Sequence, residues 1–456
     1  MTNFDFSTLR NEFEELFRAF NVLPENFNYK IEYSDFSVNI TLIYGQIYNT
    51  YYKIDPKLDV LGQKRRIKRY AKRDLYRLLC AKCHYSLPYG SLTGVRPTKL
   101  FYDLLEEGEY PERTLIEEFD VSLEKAALIR KVTEGQIGIY NTERVKPDLF
   151  VNIPFCASRC SYCSFLSAEI GRNRALARQY TDYLIEDIKR AEMIRKRIGQ
   201  GYRALYVGGG TPTSLEDIDF EKLLANLVEI SPEFTVEAGR PDSITENKLR
   251  IMKNSGVTRI SVNPQSFIPK TLEAIGRSHS VDDIYRAYDD SRRYGFDINM
   301  DLIATLPDET IEDFMYSVKE AIKLNPENIT IHTLSLKRGS KLKLEEFDNR
   351  EVFLAQNMVD YASNAMENAD YSPYYMYRQK YMSGNLENTG YAHNGKQCVY
   401  NVDIMEETHS VIACGAGAIS KRVQGDLIER YANVKDIKGY IERFDEIMDK
   451  RDALFY

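Results

Sequence analysis

The stretch VNIPFCASRCSYCSF holds Cys156, Cys160 and Cys163, separated by three residues and then by two. An odd number of thiols cannot close into disulfides, and a structural zinc calls for four ligands, usually as two Cys-x-x-Cys-type pairs. The other cysteines, Cys80, Cys83, Cys398 and Cys414, lie far away in the chain. A three-cysteine loop placed directly after a strand suits three irons of a [4Fe–4S] cube, leaving the fourth iron open to an external ligand. Unpaired core cysteines are the plainer alternative. A second grouping, CAKCH (80–84), matches the pattern for covalent c-type heme attachment. It sits in the helix-like run RDLYRLLCAKCHYSL, so ordinary core or surface cysteines are expected there. The five histidines show no metal-ligand spacing; His332 closes a strand and His279 follows Arg277, so ordinary polar contacts are expected of both, with substrate contact as the alternative.

These residues must be positioned by a chain of 456 residues, enough for two or three domains. With 43% hydrophobic and 28% charged residues it reads as a globular protein with ample apolar material for burial. A net charge of -7 argues against a protein-wide attraction to nucleic acid or anionic membrane. One basic run, KRRIKRYAKR (64–73), is read as a solvated helix face, with a contact patch as the alternative. No window approaches 18 apolar residues, so no membrane span is expected. The N-terminus lacks the basic flank and apolar run of a signal peptide. Seven cysteines then imply reduced thiols, and a cytoplasmic location is expected.

Residues 1–19 carry helical spacing, and 29–54 alternate as strands with turns at Ser34-Asp35 and Gly45. Helical patterns follow, so an α+β N-terminal module is expected over 1–145. From Leu149 to 340 short apolar runs alternate with amphipathic stretches: LFVNIPF, ALYVGGG, FTVEAGR, RISVNPQ, INMDLIATLP and NITIHTLSL. Strands alternating with helices imply an α/β fold with parallel pairing and right-handed crossovers. Six strands are too few for a closed eight-stranded barrel, which predicts an open, partial (β/α)6 barrel over 149–340. Cys156, the glycines 208–210, Glu237, Gln265 and Asp301 stand at or near the ends of these runs, where parallel α/β folds bind ligands. A mostly helical C-terminal region over 341–456, covering the substrate, completes the expected organisation.

CASRCSYC is the Cys-x3-Cys-x2-Cys signature of the radical S-adenosylmethionine (SAM) superfamily. VGGGTPTSL (207–215), RISVNPQSF (259–267) and DINMDLIATLPDET (297–310) resemble the oxygen-independent coproporphyrinogen III oxidases. GSLTGVRPTKL (90–100), FTVEAGRPDSI (234–244) and YRQKYMSGNLENTGYA (377–392) resemble the branch labelled HemZ. The resemblance covers roughly 88–422 and implies a [4Fe–4S] cluster and SAM as cofactors. It implies that Cys156, Cys160 and Cys163 ligate the cluster and that Tyr162 packs near the adenine. Gly208, Gly209, Gly210 and Thr211 would let backbone groups approach the methionine part of SAM. Glu237 would bond the ribose, Arg277 would face the carboxylate, and Gln265 and Asp301 would contact the nucleoside.

The activity implied is oxidative decarboxylation of coproporphyrinogen III propionates to vinyl groups, giving protoporphyrinogen IX in anaerobic heme biosynthesis. A reducing donor such as flavodoxin or ferredoxin would serve it. Arg240, Arg378 and Lys380 are candidate partners for substrate carboxylates. Three positions depart from the oxidases: Phe165 replaces a fourth cysteine, Phe150 a tyrosine and Asn152 a histidine. A Phe beside the cluster is typical of related heme chaperones. The alternatives are therefore a heme-binding chaperone on this scaffold, or a radical SAM tetrapyrrole methyltransferase or ring-opening enzyme.

Overall fold

The computed structural model describes residues 6, 9–34, 36–93, 96–143, 146–163, 167–198, 201–227, 231–335, 352–379, 385–425 and 427–456. It divides into two compact units. The first comprises Met1–Lys131 with Arg378–Lys380 and Gly384–Leu386. The second comprises Val132–Tyr377, Tyr381–Ser383 and Glu387–Tyr456.

In the first unit the chain runs from helix Leu9–Ala19 through strands β1 (Asn28–Ser34), β2 (Ser37–Ile43) and β3 (Ile47–Lys53) to helix Val60–Cys83. The strands form an antiparallel meander, β1-β2-β3. Val38, Ile40 and Leu42 alternate toward the core on β2, where Phe13 and Phe17 of the first helix and Ile67, Ala71 and Leu75 of the second meet them. The basic run lies on the second helix and is met by acids within the unit. Arg66 pairs with Glu109 and Glu118, Lys68 and Lys72 with Glu12, and Arg65 with Glu107. Cys80 and Cys83 occupy the helix's last turn, partly buried against the same core. His84 closes that helix in the left-handed conformation, its N–H bonding Cys80 O.

The second unit is built on one eleven-stranded sheet. Its centre consists of β4 (Asp148–Ile153), β7 (Ala204–Gly209), β8 (Glu233–Gly239), β9 (Arg259–Val262), β10 (Asp297–Ala304) and β11 (Asn328–Thr333). These six are mutually parallel in the order β11-β10-β9-β8-β7-β4. They are the six apolar runs of the sequence. The helices between them, Arg174–Ile198, Asp217–Ala225, Glu246–Asn254, Val281–Arg293 and Ile311–Leu324, are its amphipathic stretches. Two start at capping boxes, Ser280 with Asp283 and Thr310 with Asp313, which satisfy otherwise orphaned N–H groups. Between β4 and β7, the two-residue strands β5 (Phe155–Cys156) and β6 (Ala168–Glu169) pair in parallel. This is the partial barrel that the alternation predicts.

The chain after residue 340 supplies the expected helices and also five strands. β12 (Ser372–Tyr377) and β13 (Asn388–Ala392) extend the sheet beyond β11. β14 (Val411–Cys414), β15 (Ile419–Gln424) and β16 (Leu427–Ala432) extend it beyond β4, with β14 parallel to β4. The final helix, Phe444–Phe455, is anchored by a fully buried ion pair of Arg451 with Asp187. The Asp187 carboxylate also accepts from Gly415 N–H at 2.9 Å and Tyr440 O–H at 2.5 Å. Among the described residues, no helix is long and apolar enough to cross a membrane.

Candidate active site

The cysteine loop leaves β4 through Pro154. Cys160 is buried, and Cys156 and Cys163 are half-buried; none of the three is in a disulfide. The loop folds on itself through Cys163 N–H to Cys160 O at 3.1 Å, and Ser161 N–H reaches Ile275 O at 3.0 Å. A buried guanidinium clamps it. Arg240 donates from Nε and Nη2 to the Asp242 carboxylate, from Nη1 to Ser158 Oγ at 2.8 Å and from Nη2 to Ser278 Oγ at 3.2 Å. Arg240 and Arg277 together set positive charge beside Cys160. Among the described residues no three His, Cys, Asp or Glu side chains converge as ligands of one ion would. A cube takes its thiolates on separate irons, so three soft donors on one clamped loop fit a cluster.

The glycine run closes against this loop. Gly210 N–H bonds Ile153 O at 2.8 Å and Thr211 N–H bonds Phe155 O at 2.7 Å, while Thr211 Oγ1 lies 3.6 Å from Cys156 Sγ. A Cβ at any of the three glycines would press on a neighbour as it stands. A Cβ on Gly208 would fall 2.5 Å from Glu237 Oε2, and one on Gly210 2.5 Å from Phe155 O. Gly209 has φ +104, and its Cβ would collide with Asn152 Oδ1. This strand end is bare backbone, and at Gly210 the backbone of the cysteine loop leaves no room for a Cβ.

Glu237 accepts from Gly209 N–H at 3.2 Å. Burial, with the Asp301 carboxylate nearby, pushes its carboxyl up to about 8. Gln265 holds φ +67, unusual for a side chain other than glycine. Its backbone is pinned to β10 by Gln265 N–H to Asp301 O at 2.9 Å and Ile303 N–H to Gln265 O at 3.1 Å. Arg277 donates from Nη1 to Asn263 O at 2.6 Å and from Nη2 to Tyr162 Oη at 3.2 Å. The structure thus joins Cys156 to Thr211, Cys160 to Tyr162 and Arg277, and Glu237 to the glycines and Asp301.

Asp301 lies in the middle of β10 rather than at its end. His332 Nε2 is 3.5 Å from its Oδ2, and Tyr206, Tyr375 and Tyr377 lie within its electrostatic reach. Of these neighbours Tyr206 was the least visible in sequence. The period of two was the available signal, since Tyr206 stands two residues before Gly208 on one strand. Phe150 stacks on Tyr206 and Tyr400, with centroids 6.3 and 6.2 Å away, and Asn152 Nδ2 donates to Ala416 O at 2.6 Å. Of the candidate carboxylate partners, Arg240 serves the cysteine loop. Arg378, in the first unit, lies 4.2 Å over the Tyr89 ring and donates to Leu92 O and Asn385 O. Lys380 and Phe165 fall outside the described residues.

The radical SAM superfamily pattern matches residues 152–321. Over 394 residues the chain is 38% identical to the oxygen-independent coproporphyrinogen-III oxidase-like protein HemZ of Bacillus subtilis (strain 168), covering 82% of this chain and 78% of that protein. The chain belongs to the oxygen-independent coproporphyrinogen-III oxidase-like family of radical SAM proteins. The cofactors of this oxidase-like family are a [4Fe–4S] cluster and SAM. The heme chaperone HemW of Buchnera aphidicola subsp. Acyrthosiphon pisum is 24% identical over 67% of this chain and 80% of that protein. Among solved structures, the coproporphyrinogen III oxidase HemN of Escherichia coli matches with a TM-score of 0.54 at 21% identity, over 68% of this chain and 72% of that one. That match places the oxidase-like family on the same fold.

Proposed function

We propose that this chain converts propionate arms of coproporphyrinogen III to vinyl groups, giving protoporphyrinogen IX. The observation that carries this reading is the likeness to an oxygen-independent coproporphyrinogen-III oxidase-like protein along 82% of the chain. In this reading Cys156, Cys160 and Cys163 hold the cluster. Gly208, Gly209, Gly210 and Thr211 offer backbone to the methionine part of SAM, and Arg277 and Tyr162 border it. Glu237, Gln265 and Asp301 hold the nucleoside. The bound cluster and SAM supply a hydrogen-abstracting radical. Each arm, CH2–CH2–COO⁻, loses one hydrogen atom, then carbon dioxide and one electron, and leaves CH=CH2. A one-electron acceptor takes that electron, and a flavodoxin- or ferredoxin-type protein reduces the cluster. The chain's own part is to orient the arm and exclude water. Tyr206, Tyr375 and Tyr377 supply apolar ring surface next to the SAM residues, with β12 of the C-terminal region carrying two of them.

A second reading, a heme-delivery protein, draws on the likeness to HemW and on Phe165, where the oxidases carry a fourth cysteine. One anaerobic assay separates the two. The iron-reconstituted protein is given SAM, a reductant and coproporphyrinogen III, and products are read by mass. Deoxyadenosine that forms only with substrate, alongside successive loss of two carbon dioxides, is the expected result. Cleaved SAM with unaltered coproporphyrinogen, together with stoichiometric heme binding, would replace the first reading with the second.

A further inference from the structure

We propose that His332 binds a carboxylate arm of the substrate inside the barrel. The proposal rests on the tetrapyrrole reading above and names the group on this chain that meets the arm. His332 lies on β11 on the face that carries Thr330, whose hydroxyl reaches Asn299 Oδ1 at 3.2 Å and lies 3.2 Å from Tyr375 Oη. That face is the barrel interior. On the opposite face Ile329 and Ile331 are fully packed. The His332 side chain keeps 25% of its surface and Asp301 16%, whereas Leu302 and Ile331 beside them keep almost none. The interior is therefore open where these two side chains stand.

The charged and titratable groups that face this opening are Glu237 on β8, Asp301 on β10, His332 on β11, Tyr206 on β7, and Tyr375 and Tyr377 on β12. Two are acids, three are phenols, and among the described residues that face the opening His332 is the one that can carry positive charge. Two guanidiniums of the site are engaged elsewhere: Arg240 with Asp242 and Ser158, and Arg277 with Asn263 O and Tyr162. A propionate entering an acid-bearing chamber needs a cationic donor, since a buried carboxylate without one is strongly disfavoured. His332 turns one ring nitrogen toward Asp301, and its other nitrogen has no partner among the described residues. In the imidazolium form both nitrogens donate, so one ring spans two carboxylates, that of Asp301 and that of the arm. The contact also ends with the reaction. Once the carboxylate has left as carbon dioxide, the vinyl arm offers His332 nothing to bind, and a second propionate can take its place.

The test uses the iron-reconstituted full chain with coproporphyrin III, the stable oxidised macrocycle, and its tetramethyl ester as probes. Affinities are read from the shift of the porphyrin absorption band. The wild-type chain should prefer the acid to the ester by about tenfold or more, as one charge-assisted hydrogen bond warrants. His332→Phe keeps a ring and loses both nitrogens, so it should remove that preference. His332→Asn, which keeps an N–H donor close to the backbone but no positive charge, should retain only a small part of it. Iron per chain and SAM affinity are measured on each variant, because SAM carries a carboxylate of its own. A preference that survives in His332→Phe, with or without a loss of SAM affinity, overturns the assignment and leaves the substrate reading standing. A wild-type chain that binds neither probe, or both equally, overturns the substrate reading and this proposal together.

Discussion

Gly210 is the position where one methyl group should do the most damage. Its Cβ would lie 2.5 Å from Phe155 O and 2.8 Å from Ile153 O, and both are backbone atoms that no rotamer change can move aside. The same two carbonyls accept the hydrogen bonds of Thr211 and Gly210 that tie the glycine strand end to the cysteine loop. In Gly210→Ala the strand end must move off, straining the packing by about 1–3 kcal/mol and weakening two hydrogen bonds worth about 1 kcal/mol each. The sum, about 3–5 kcal/mol, is a large share of the stability of an ordinary domain. Cys156 belongs to the displaced segment, so iron uptake should fall with stability. The assay is urea denaturation of the apoprotein together with iron per chain after reconstitution. Gly171→Ala is the control, since no heavy atom lies within 4 Å of its Cβ and its φ is ordinary; it should be neutral or stabilising by a few tenths of a kcal/mol. Gly208→Ala should behave differently from both, because its Cβ meets the Glu237 and Tyr206 side chains, which can yield. It should spare the fold and weaken SAM binding. A Gly210→Ala protein with unchanged midpoint and full iron would refute the reasoning.

Two further outcomes follow from buried charge. Glu237 is raised to about 8 from an ordinary 4.5, so between those values the folded chain holds a proton that the unfolded chain has released. Stability of the SAM-free protein should therefore fall as pH rises through this window, by up to about 1.4 kcal/mol per pH unit, and level off above 8. Glu237→Gln should lessen that slope in denaturation midpoints measured from pH 5 to 9, the remainder belonging to Glu309, which burial also pushes up to about 8; an unchanged slope would assign all of it to other groups. Under the proposed contact with the SAM ribose, this carboxyl accepts better when ionised, so SAM affinity should improve toward pH 8 in the native chain and stay flat in the variant. Arg451→Met leaves the Asp187 carboxylate buried without its cation and should lose about 3–5 kcal/mol. Asp187→Asn with Arg451→Met should recover part of that loss, and a double variant as unstable as the single one would show that Arg451 acts through packing.

The six barrel strands and the helices between them were legible because their apolar runs and amphipathic stretches are local patterns, each set by the spacing of side chains on one element. The cysteine spacing, the side-chain-poor glycine strand end and the acidic and amide residues near the strand ends were legible for the same reason, since each lies within a few residues of a strand whose type could be read. Chain order could not show which strands flank the barrel. β14 lies beside β4 although more than 250 residues separate them, and β12 and β13 lie beyond β11 in a region read mainly as helical. That pairing is chosen by the edges the parallel strands leave open, which exist only once the sheet has formed. Arg240 is another case. Its sequence marks it as a free cation, yet folding brings Asp242, Ser158 and Ser278 to it and makes it a clamp. The approach of His332 to Asp301 likewise depends on the register of β10 against β11, in which His332 sits opposite Ile303 and one pleat beyond Asp301. Local spacing thus determined which residues could do chemistry, and the strand register of the folded sheet decided which of them face one another.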